Sequence, residues 1–159
     1  MTTLRHSIAQ RTARPFAVAL LLGMGALTGA AHAGTLPPVR TAPTGVEYIS
    51  GGVGSDEAHA MEQVTPKWPA SFEFAVKSGD KADFAANVHV TVQDARTGAT
   101  VLHNVKADGP FMAAKLAPGV YRVTASLDGK ALQRQIDVGA KGPAHAVFVW
   151  PAGTDMASN

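Results

Sequence analysis

The 159-residue chain contains no cysteine. That excludes disulfide staples, thiolate zinc sites and a thiol nucleophile, and it leaves no cysteine for an N-terminal lipid anchor. Aromatic residues are few, with two Trp, two Tyr and six Phe. Most of them fall in alternating runs that read as core rather than as a sugar-stacking platform. Neither sign of charge dominates, with 14 Lys+Arg against 12 Asp+Glu. No basic cluster points to nucleic acid or to an anionic membrane. No serine sits in a G-x-S-x-G context, and no internal repeat is visible.

One long apolar run is present, from Phe16 to about Leu27. It follows Arg5, Arg11 and Arg14 and precedes Ala31-His32-Ala33. Basic start, short apolar stretch and small-x-small site together read as a secretory signal peptide over residues 1–33, cleaved after Ala33. The run is short for a membrane span of roughly 20 residues. The expectation is a periplasmic protein, with secretion as the alternative and no membrane span after cleavage. Three arginines and no acid leave with the segment, which turns the formal charge from +2 to −1.

Residues 34–45, GTLPPVRTAPTG, are rich in Pro, Thr and Gly and read as a flexible leader. Ser55–Val64 is the convincing helix: Ser55 can cap it, Asp56 and Glu57 suit its positive end, and Ala58, Met61 and Val64 form a narrow apolar stripe. From Trp68 onward the pattern has period two. Phe72, Phe74 and Val76 alternate with Glu73, Ala75 and Lys77. Val88, Val90 and Val92 point inward, and Ala144, Ala146, Phe148 and Trp150 alternate with His145, Val147 and Val149. Ser78–Asp83 reads as a polar loop, and Asp128-Gly129 is a strong hairpin turn. The spacing predicts an all-β fold, a seven- to eight-stranded antiparallel Greek-key β-sandwich with one short helix near 55–64. The sandwich is a single domain over 46–151, and 152–159 forms a disordered tail.

The stretch ADGPFMAAKLAPGVYRVTAS, residues 107–126, carries a resemblance. With VHVTVQDARTG before it and LDGKALQRQIDV after it, it resembles the carboxypeptidase regulatory-like domain, a transthyretin-like (prealbumin-like) sandwich. Asp108-Gly109, Phe111, Leu116, Pro118, Gly119 and Tyr121 fill the family's turn and aromatic positions. Pro110 departs from the pattern and suggests an edge or bulge at that strand start. SGGVGSDE, ADGPF and VFVW together also resemble small exported proteobacterial proteins of that label. The resemblance implies a fold and a compartment without an activity. Transthyretin-type hydrolases end in Tyr-Arg-Gly-Ser, and this chain ends without it.

Chemistry is thin. His59 and Glu62 form an H-x-x-E at helical spacing, which with Asp56 gives an alternative reading as a metal-binding or metal-assisted hydrolytic protein. If Val92 pairs with Val101, His89 and His103 fall on opposite faces and cannot share a metal. The segment Gly51-Gly52-Val53-Gly54-Ser55-Asp56-Glu57 could form a backbone N–H concavity, but Asp56 and Glu57 would repel an anion. Its glycines read first as a sharp strand-to-helix turn. Trp68 lies outside the strand pattern. The binding residues to examine are therefore Gly51, Gly52, Gly54, Asp56, Glu57 and Trp68, with no catalytic residue, metal or cofactor assigned. The reading is a non-enzymatic, monomeric accessory module of the cell envelope that docks an unknown protein or carbohydrate. A structural envelope protein without a specific ligand is the remaining alternative.

Overall fold

The period-two stretches are strands, ten of them in two sheets, in a computed structural model that describes residues 35–139 and 141–154. The expected signal peptide and the last five residues lie outside the described residues. Sheet A holds β1 (Arg40–Thr41), β2 (Glu47–Gly51), β7 (Phe111–Ala114), β3 (Ala70–Ser78) and β10 (Ala144–Trp150) in that order. The short β4 (Lys81–Phe84) pairs with the second half of β3. Sheet B runs β6 (Thr100–Lys106), β5 (His89–Asp94), β8 (Gly119–Leu127), β9 (Lys130–Val138). Among the described residues there is one α-helix, α1 (Ser55–Val64), continued by a 3-10 turn at Thr65–Lys67. The architecture is the expected all-β sandwich.

The main core lies between the sheets. Phe72, Phe74, Met112, Phe148 and Trp150 of sheet A meet Val90, Val92, Leu102, Val123 and Ile136 of sheet B. Phe74, Phe148 and Trp150 form a tilted aromatic group with centroids about 6 Å apart. Trp150 donates its ring N–H to the Lys130 carbonyl at 2.8 Å, which satisfies the one polar atom this large side chain carries.

Several details depart from the sequence reading. β10 pairs with β3 in parallel, Ala144 beside Ala70 through Trp150 beside Val76, so the sandwich is not wholly antiparallel. The stretch read as a leader joins sheet A by residue 40, where Arg40 pairs with Tyr48 and its guanidinium meets Asp108 at 2.6 Å. Ser78–Asp83 is not all loop, because its last residues enter β4. Phe84 at the end of that strand is exposed rather than in the core. Thr154, placed in the tail, is fully buried and donates its hydroxyl to the Pro151 carbonyl at 2.7 Å. Val92 pairs with Leu102 instead of Val101. The β5–β6 ladder shifts register twice, and both His89 and His103 are exposed.

The stretch 107–126 is more central than its turns suggest. β7 lies between β2 and β3, so Pro110 marks no edge; it precedes the first paired residue, and its carbonyl accepts the Phe74 N–H at 2.9 Å. All four residues of β7 are buried, because Met112 and Ala114 face the sandwich core while Phe111 and Ala113 face a second apolar cluster outside it. Gly119 is not at a positive φ and begins β8. A Cβ there would sit 3.5 Å from the Tyr121 ring. The Tyr121 hydroxyl donates to the Ala117 carbonyl at 2.9 Å and ties the turn closed. Burial, and behind it the Asp94 carboxylate, pushes that hydroxyl above the ordinary tyrosine range.

Candidate functional site

The outer face of sheet A is where the residues singled out by sequence meet. Helix α1 lies over the β2/β7 half of this face. Met61 is fully buried against Ile49, Phe111 and Ala113, with Ala58, Val64 and Trp68 packed around them. A ten-residue helix has little stability of its own, so this apolar contact is what holds it.

The glycine-led segment is the joint that delivers α1 to that position. Gly51 is the last residue of β2, and a Cβ there would run into the Glu57 carboxylate and Pro37. Gly52 turns at φ 100°, and a Cβ there would lie 2.5 Å from the Phe111 ring. Gly54 stands at the helix N-cap with φ 90° and brings no capping side chain. No side chain caps the helix; Glu57 reaches back past its start, and its Oε1 accepts the Gly52 N–H at 2.6 Å. A carboxylate thus takes up a donor that an anion would need, and it places negative charge at the helix end where the dipole favours it. Asp56 is exposed in the same turn. Trp68 is half-buried at the far end of the helix, with the Lys115 ammonium 5.5 Å from its ring centre. Lys115 also pairs with Glu47. The six residues therefore belong to one structural unit, a strand-to-helix joint with a docked helix.

His59 and Glu62 are exposed on α1. Among the described residues, no three His, Asp or Glu side chains converge where they could hold a metal ion.

The β3/β10 half of the same face differs. The parallel pairing sets His145 beside Ser71, Val147 beside Glu73 and Val149 beside Ala75, and β4 adds Phe84 beyond Ala75. Among the described residues no helix covers this half. Phe84 is 56% exposed and Val147 and Val149 are each 39% exposed, whereas Phe111 under the helix is 5% exposed. Phe84 leans edge-on against Phe111 at 5.1 Å between centroids, so the bare strip is continuous with the covered cluster. Val53, 65% exposed, adds a further apolar side chain in the joint itself.

Three polar side chains border the strip that sequence reasoning did not bring together. Ser71 Oγ lies 3.0 Å from His145 Nδ1, and His145 Nε2 lies 4.0 Å from the Glu73 carboxylate. The order serine, histidine, carboxylate is that of a hydrolytic relay. However, Ser71 is only 2% exposed, and its oxygen is closed to a substrate. The arrangement instead fixes the His145 ring across two strands. The parallel pairing of distant strands creates it, and no local spacing in the sequence signals it.

A separate hollow opens at the end of the sandwich beside the Leu116–Gly119 turn. It encloses about 320 Å³ and is lined by Lys67, Pro69, Leu116, Pro118, Val138, Gly139, Gly142 and Pro143. A smaller one of about 260 Å³, lined by Val76, Lys77, Ser78, Gly79, Asp83, Ala152 and Gly153, lies by the β3–β4 turn. No family model matches the chain, and no curated protein matches it.

Proposed function

We propose that this protein is a non-enzymatic, exported accessory module of the cell envelope that docks another protein on the β3/β10 half of its outer sheet face. The observation that carries the reading is the contrast within that one face, where Phe84, Val147 and Val149 stand exposed beside an equivalent apolar cluster sealed by α1. Apolar side chains grouped on a sheet, Val147 and Val149 among them, favour a protein partner over a carbohydrate, because branched aliphatic groups offer no flat stacking surface for a sugar ring. Export rests on the signal-like residues 1–33, and the resemblance to carboxypeptidase regulatory-like domains supports an appendage that binds rather than catalyses. Along the described residues, no helix is long and apolar enough to cross a membrane.

The test is affinity capture from an envelope fraction with wild type, with the double variant Val147→Glu and Val149→Glu, and with Gln133→Glu on the exposed face of β9. A specific partner recovered by wild type and by Gln133→Glu but lost with the double variant supports the reading. Equal recovery by all three, with the double variant folded by circular dichroism, contradicts it.

A further inference from the structure

The hollow beside the Leu116–Gly119 turn has a composition that selects a ligand class. Its floor is Leu116 and Val138, 4% and 3% exposed, and its walls are Pro69, Pro118 and Pro143 with Gly139 and Gly142. Proline fixes its own φ, so three of the walls cannot easily collapse inward to fill the space. A Cβ at Gly139 would press on Pro118 at 3.1 Å, so the loop stands directly against the turn and the two form one wall. About 320 Å³ is at the small end of the range for small-molecule sites. The cleft is open and mostly apolar.

Among the described residues, Lys67 is the one charged residue that lines it. Lys67 ends the 3-10 turn after α1 and is exposed, and no carboxylate lies within ion-pair distance of it among the described residues. Strand alternation turns Asp137 away from Val138, since Asp137 is exposed where Val138 is buried. Lys141, exposed in the loop that forms one wall, has the same sign as Lys67. An apolar hollow with a cation at its rim and no facing acid is complementary to a short apolar chain ending in one negative charge. A neutral hydrocarbon would leave the ammonium unused, and a sugar would find almost no polar partner. A cationic amphiphile would meet like charge.

We propose that this cleft binds a free medium-chain carboxylate, with the chain against Leu116, Val138 and the three prolines and the carboxylate at Lys67. The site shares no residue with the docking strip and does not depend on that reading.

The test titrates the protein, below micelle-forming concentrations, with octanoate, octanol and octylammonium, and maps amide shifts by NMR. Octanoate is expected to bind most tightly, ahead of octylammonium by roughly fivefold, the order of an exposed ion pair. The shifts should cluster at Leu116, Val138 and Gly142. Lys67→Glu, a surface change that leaves the walls intact, should reverse the order so that octylammonium binds better. Equal affinity for all three compounds, an order unchanged by Lys67→Glu, or shifts centred away from the cleft overturns the proposal. So does binding to anionic lipid vesicles without binding to free octanoate.

Discussion

The two halves of the outer face of sheet A are built alike and finished differently. On the β2/β7 half, Ile49, Phe111 and Ala113 are 0–5% exposed because Met61 and its neighbours on α1 sit on them. On the β3/β10 half, Phe84, Val147 and Val149 keep 39–56% of their surface in water. Burying an apolar side chain of this size contributes about 1.5–3 kcal/mol. The covered half therefore helps hold the fold together, whereas the bare half contributes little until something is placed on it. The difference shows that exposure here is set by where a single short helix lands, and the glycine-led joint fixes that landing.

Breaking the joint should have the largest effect. Gly52→Ala adds a Cβ against the Phe111 ring at a backbone angle that side chains rarely adopt. It is expected to cost about 3 kcal/mol in urea unfolding. Met61→Ala opens a cavity under the helix and should cost about 2 kcal/mol, at the low end for a buried methionine because α1 can settle. Glu57→Gln keeps the shape but replaces a charge-assisted bond to the Gly52 N–H, and about 1 kcal/mol should be lost. A pH series supplies a control outside both halves. The Thr97 and Arg96 backbone N–H groups hold the Asp94 carboxyl below its ordinary range. A carboxylate with a depressed folded pKa stabilises at neutral pH, and that help disappears as pH falls through the folded value. The stability gap between wild type and Asp94→Ala should accordingly be full at neutral pH and close as pH falls below about 4. The smallest effect belongs to the bare half, where Val147→Thr should change stability by no more than about 0.5 kcal/mol.

Much of this fold was legible locally. Phe72, Phe74 and Val76 alternate as they do because one face of β3 meets the core, and β10 reads the same way along its whole length. The helix at Ser55–Val64 was legible from its acidic first turn and apolar stripe. What did not show is long-range. The parallel β3/β10 pair joins segments some seventy residues apart and leaves no turn signal between them. β4 hid in a polar stretch because all four of its residues are exposed. The bare strip was unreadable for a related reason. Val147 and Val149 look like any outward-facing positions, and Phe84 looks like core, until the edge of the helix is known. The hollow was equally hidden, since Lys67, Leu116 and Val138 are brought together only by three separate turns.

One capture experiment that changes the exposed side chains of each half in turn decides which half docks the partner. With a partner identified for wild type, Val147→Glu with Val149→Glu should abolish its recovery, while Asp56→Asn with His59→Ala on the exposed side of α1 should leave recovery unchanged. Loss of the partner with the α1 pair and its retention with the β10 pair would move the docking surface to the helix and contradict the account.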